Sequence, residues 1–106
     1  PHPLSHGTIN VAANVNVDLS DAALVEALSI VVQARTAAVL DAQVPLVSGA
    51  ATGTGTDCVA VSAIPGRTNY AGLHTEVGEA LGRAVSTAVH NGAMEWKEEQ
   101  EVREDA

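Results

Sequence analysis

The chain has 106 residues, 46% of them apolar, with one Tyr, one Trp and no Phe. That length holds a single domain. The apolar share excludes a disordered chain, and the scarcity of aromatics leaves Ala, Val, Leu and Ile to build the core. A formal net charge of −8 argues against nucleic acid as a partner, because phosphate binding needs a basic surface. The lone Cys58 excludes an internal disulfide, and no Cys/His cluster has zinc spacing, so no metal site is expected.

No apolar run reaches the roughly 20 residues of a membrane span, and no signal peptide is visible, so a cytoplasmic protein without membrane association is expected. The only lysine is Lys97, and the last fifteen residues hold six acids and two bases. Scarce Lys, abundant Asp and Glu and small core residues suit a salt-rich cytosol, where excess negative charge preserves solubility. A moderately acidic protein with an acidic tail is the plainer alternative.

Residues 1–7 contain two prolines and read as an irregular lead-in. The chain begins at Pro rather than Met, which suggests processing or a longer parent. From Thr8 to Asp18 apolar residues alternate without a break (Ile9, Val11, Ala13, Val15, Val17), predicting a strand with one dry face. Its other face presents Asn10, Asn14 and Asn16, either a solvated sheet face or a polar wall beside a ligand. Ser20 then caps a helix predicted to run to about Ala42. Glu26, Ser29, Gln33 and Thr36 share its polar stripe at helical spacing, and Leu24, Leu28, Val31, Val32 and Val39 its buried one. Arg35 falls within the buried stripe, where a guanidinium must snorkel out or meet a carboxylate or ligand.

Val44-Pro45 ends that helix, and a loop leads into Ala51-Thr52-Gly53-Thr54-Gly55-Thr56-Asp57. Glycines alternating with threonines let backbone N–H groups approach an anion or a polarised oxygen, although a tight turn uses the same residues. The loop is not a Walker loop, because no Gly-Lys-Ser/Thr follows. Cys58 to Ile64 is predicted as a short strand buried on both faces. Pro65-Gly66 breaks it, and a second loop carries Tyr70-Ala71-Gly72-Leu73-His74. Thr75 caps the last helix, whose apolar face includes Val77, Leu81, Val85 and Val89. Gly78 and Gly82 lie beside that face, and their helix cost implies close approach of another backbone or a ligand. Asn91-Gly92 is predicted to stop the helix, leaving 93–106 as an acidic tail that frays or continues as a solvated helix.

Strand, helix, strand, helix is an α/β pattern. Two strands do not make a self-sufficient sheet, so the unit reads as half of a larger α/β domain. A missing N-terminal segment, a partner chain or a symmetry mate would complete it.

Asp57 could serve as a general base, a metal ligand or a strand-entry cap. His74, next to a helix N-terminus, could accept a proton as a neutral imidazole. Glu79 and Arg83 form an i,i+4 pair that reads as a surface pair. His2, His6 and His90 have no partner at informative spacing.

Gly7-Thr8-Ile9-Asn10, Gln33-Ala34-Arg35-Thr36, Ala51 to Asp57, and Tyr70 to Thr75 followed by Gly78-Glu79 and Gly82-Arg83-Ala84-Val85 together resemble the CbiZ family of adenosylcobinamide amidohydrolases. The resemblance spans about residues 7–91, making 1–92 the C-terminal part of such a domain. It departs where the family carries a Glu-Ala-Lys-Thr-like segment, and family members are about twice as long.

The resemblance implies hydrolysis of the amide joining the aminopropanol arm to the corrin ring, giving adenosylcobyric acid in corrinoid salvage. No cofactor is then needed, since the corrinoid substrate carries its own cobalt. It also implies an archaeal setting. The needs of amide hydrolysis single out Asp57, His74, Arg35 and Glu79 as candidate catalytic residues, with Asp57 and His74 expected to face one pocket. Backbone N–H groups of Gly53, Thr54, Gly55 and Thr56 would form the oxyanion hole, and Asn10 and Tyr70 would contact substrate. Arg35 would supply positive charge, or pair with Asp57 and hold it ionised. A threonine nucleophile, Thr54 or Thr56, is the lesser alternative. A non-catalytic corrinoid or anion-binding module, or an inactive structural piece of the enzyme, stands as the competing reading.

Overall fold

The computed structural model describes residues 9–43, 45–46, 49–50 and 57–105. Six elements follow in order: β1 (Asn10–Leu19), α1 (Asp21–Asp41), β2 (Pro45–Leu46), β3 (Gly49–Ala50), β4 (Cys58–Pro65) and α2 (Glu76–Asp105). β1 and β4 pair in parallel, with Asn10 opposite Cys58 and Val15 opposite Ala63, and an irregularity before Leu19 meets Pro65. The β-helix-β-helix arrangement makes this an α/β fold. The short β2–β3 hairpin, which pairs Leu46 with Gly49, falls where the sequence predicts only a loop.

Parallel strands need a crossover of about a dozen residues or more, and α1 supplies it. α1 lies chiefly over β4, and α2 over β1 and against α1. Inward Val11, Ala13, Val15, Val59, Val61 and Ala63 meet Ala23, Ala27, Ile30, Val31, Leu81 and Val85 in the main core. The opposite sheet face is open: Asn10, Ala12, Asn14 and Asn16 are exposed, as are Cys58, Ala60, Ser62 and Ile64. β4 is therefore buried on one face rather than two, because both helices pack on the same side. Across the open face, the Asn14 side-chain amide donates to Ser62 Oγ at 2.8 Å.

Ser20 Oγ accepts from the Ala23 N–H at 3.2 Å, capping α1 as its sequence implies. The buried side of α1 shares Val31 and Val39 with the predicted stripe, and Leu24 packs against the core, but elsewhere it departs from that stripe. Ala23, Ala27, Ile30, Val31, Ala38 and Val39 are buried, whereas Leu28 and Val32 are exposed. α1 is apolar nearly all round, so its periodicity does not choose a face. The close approach of α2 chooses the alanine-rich one. α1 also has the length and mean hydropathy, 1.6 over its most apolar window, of a helix able to cross a membrane. The core helix of a globular domain meets the same measure, and the buried residues of α1 pack in the main core.

α2 passes through Asn91-Gly92 without stopping and continues to Asp105. The residues beyond explain it: Ala93, Met94 and Trp96 pack with Ile9 and Val89 against buried Val39 and Ala42 in a second, smaller core. Lys97 Nζ donates to the Ala42 carbonyl at 3.4 Å, placing a cation at the α1 C-terminus where the helix dipole favours one. His90, which has no partner at informative sequence spacing, meets Asp41 across the helices at 3.1 Å.

Candidate functional site

The candidate residues separate into two groups, one at each end of the parallel pair. At the amino end, Asp57 precedes β4. Its Oδ1 accepts from the Ile9 N–H at 3.0 Å, and its Oδ2 pairs with Arg35 Nη1. The two side chains are 14% and 8% exposed for Arg35 and Asp57. Arg35 thus meets a carboxylate, one of the alternatives its place on α1 allowed. The buried Arg35 Nε has no hydrogen-bond partner. This arrangement ties the starts of β1 and β4 to the fourth turn of α1. Gly53, Thr54, Gly55 and Thr56 lie outside the described residues, and so do His2 and His6.

At the carboxyl end, residues 66–75 run from β4 to α2 and carry Tyr70 and His74. His74 is exposed, and Tyr70 is 72% exposed. Thr75 caps α2, its Oγ1 accepting from the Gly78 N–H at 3.0 Å. Gly78 is the close backbone approach predicted for it: a Cβ there would stand 1.9 Å from the Gly72 carbonyl oxygen. Glu79 pairs with Arg83 at 3.6 Å with both side chains about 70% exposed, a surface pair of small energetic weight.

Asp57 and His74 do not share a pocket. Strand β4 extends away from Asp57 for about 25 Å at ~3.3 Å per residue. The loop bearing His74 is pinned near Glu26, about 14 Å from Arg35 at ~1.5 Å per helical residue. The expectation of one pocket is corrected: β4 is extended, so residues before and after it fall at opposite ends. Asn10 lies on the open sheet face beside the amino end. Among the described residues no group of three or more His, Cys, Asp or Glu could hold a metal ion.

Two residues at the carboxyl end escape a reading of the sequence. Asp18 Oδ2 accepts from the Arg67 N–H at 2.9 Å, and Glu26 Oε1 from the Ala71 N–H at 3.2 Å. By local pattern Glu26 belongs to a solvated stripe, and Asp18 is the last outward residue of a strand. Their partners lie more than forty residues away, beyond any local pattern.

The fold is that of an open α/β unit built on one parallel strand pair. The profile of the CbiZ family, adenosylcobinamide amidohydrolase, matches residues 2–101. The chain belongs to that family. It is 33% identical over 87 residues to an uncharacterized protein of Methanocaldococcus jannaschii, an alignment covering 78% of this chain and 34% of that protein. The chain therefore spans about a third of the length of the curated relative it matches. No solved structure matches it.

Proposed function

We propose that this chain is part of an amidohydrolase that cleaves the aminopropanol amide of adenosylcobinamide, releasing the amine and leaving a carboxylate on the corrinoid. The family match over nearly the whole chain carries the reading. We place the chemistry at the carboxyl end, around His74, because an imidazole stands there beside the N-terminus of α2. Its imidazole is exposed there, whereas both Asp57 oxygens are occupied and the side chain is buried.

His74 takes a proton from water as the oxygen attacks the amide carbonyl. The N-terminus of α2, one residue further on, favours the negative charge developing on the carbonyl oxygen. The proton then passes from His74 to the amide nitrogen, the C–N bond breaks and the amine leaves. Arg35 and Asp57 act at a distance by holding the strand starts in register.

Cobyric acid release by the purified chain, and by the chain assembled with whatever completes its sheet, tests the proposal. His74→Ala is expected to lower kcat by about 10²-fold or more. Asp57→Asn, assayed in the folded fraction, is expected to alter kcat far less. A folded D57N protein that is inactive beside an active H74A protein would move the chemistry to the amino end.

A non-catalytic corrinoid-binding module is the second reading. It is favoured by the absence, among the described residues, of any ion pair or hydrogen bond joining His74 to a carboxylate. Corrinoid binding without amine release would establish it.

A further inference from the structure

We propose that residues 66–75 form a preorganised seat for a broad conjugated ring of the substrate. Tyr70 and Leu73 make the contact, while Asp18 and Glu26 act as positioning residues. The proposal rests on the amidohydrolase reading for the identity of the ring, the corrin macrocycle.

The loop is fixed along its length. The Gly66 N–H donates to the Leu19 carbonyl, and the Ser20 N–H donates to the Thr68 carbonyl, each at 2.9 Å. The Arg67 N–H is held by Asp18 and the Ala71 N–H by Glu26. At the exit, the Thr75 N–H and Oγ1 both donate to the Gly72 carbonyl, at 3.0 and 2.8 Å. Ala71 is fully buried, a plug that seats the middle of the loop in the core. Gly66 passes so near Asp18 that a Cβ would meet its carboxylate at 1.9 Å.

A loop held this firmly nonetheless turns large apolar groups outward. Tyr70 is 72% exposed and Leu73 61% exposed, on either side of the Ala71 plug and next to exposed His74. Tyr70 is the only tyrosine in the chain. Groups carried on a backbone already held in place need no loop ordering on binding, as a preorganised recognition surface requires. The carboxylates of Asp18 and Glu26 are turned onto backbone N–H groups, and Arg67 is the one charged residue within 66–75. The ligand chemistry that fits is a ring with an apolar face and an uncharged, amide-bearing edge, presenting its amide to the neighbouring imidazole.

Equilibrium binding of adenosylcobinamide and of its product, adenosylcobyric acid, to the full chain tests the seat. Tyr70→Ala and Leu73→Ala are each expected to weaken binding of both about tenfold, with the melting temperature held. Val102→Ala, on the exposed far end of α2, should bind as the parent does. Glu26→Ala should raise Kd by freeing the Ala71 N–H, and Glu26→Gln, which keeps an acceptor, should restore it. In turnover the loss should fall on KM. Unchanged Kd in Y70A and L73A would overturn the seat even where hydrolysis proceeds. Binding that depends on Tyr70 without amine release would uphold the seat and overturn the reaction. A parent chain that neither binds nor hydrolyses would overturn both.

Discussion

Two glycines one helical turn apart have opposite predicted responses to the same substitution. Gly78→Ala would thrust a methyl group into the Gly72 carbonyl at 1.9 Å and the Ala71 carbonyl at 2.6 Å. Both atoms are backbone and neither can swing aside, so overpacking should cost about 1–3 kcal/mol. Gly82→Ala would meet only Ile30 Cγ2, at an ordinary 3.5 Å. Removing a glycine from a helix interior there should add up to about 1 kcal/mol of stability. Thermal melts of the two variants check the pair, and the same sign in both would refute the contact geometry.

The Arg35–Asp57 pair belongs to the same scale. Either partner removed alone leaves the other as an uncompensated buried charge, and Arg35→Met should destabilise by about 3–5 kcal/mol. The double change R35M/D57L should recover much of that loss, because well-packed apolar groups can replace a buried pair. Denaturant melts of the two proteins decide it. Arg35 is the more legible partner in the sequence, since a guanidinium on an apolar face demands an explanation. Asp57, twenty-two residues on, is one partner the sequence offers, and the fold selects it.

Among the elements, α2 shows where tertiary packing overrides a local signal. Asn91-Gly92 reads as a stop, yet Gly92 sits in continuous helix, and a Cβ added there would meet nothing within 4 Å. The helix penalty of one glycine, about 1 kcal/mol relative to Ala, is outweighed by the packing of Met94 and Trp96 over Val39 and Ala42. Trp96→Ala should therefore loosen residues 93–105 while leaving the main core intact. Hydrogen exchange should rise beyond Asn91 and remain slow at Ile30 and Leu81; uniform exchange across α2 would contradict this. α1 teaches the complementary lesson. Its cap and extent can be read from Ser20, Asp21 and the Val44-Pro45 break, but its buried face cannot, because Leu28 and Val32 are as apolar as the alanines that pack inward.

Over the whole molecule, the distance between the two polar groups sets the expected coupling. Sites more than about 7–10 Å apart without shared partners act additively. The double variant D57N/H74A should then show the product of the single-variant losses in kcat/KM. Strong non-additivity would bring Asp57 and His74 into one constellation. The parallel pair leaves the outer edge of each strand without a strand partner among the described residues, fewer strands than a sheet normally needs for independent stability. We expect the sheet to be completed from outside these residues, by an N-terminal portion of a longer parent or by a second copy. A cooperative melt at a light-scattering mass of 10.8 kDa would show instead that this unit stands alone.

The order of the two long strands and two helices, both N-caps and the strand alternation were determined by the chain itself, because periodicity and capping act over three or four neighbours. So was the family, through motifs read in order. Which faces became buried, that α2 runs past its glycine, and that Asp57 stands apart from His74 were decided by tertiary structure. Each depends on contacts between residues far apart in the chain, and an extended strand turns adjacency in sequence into distance across the molecule.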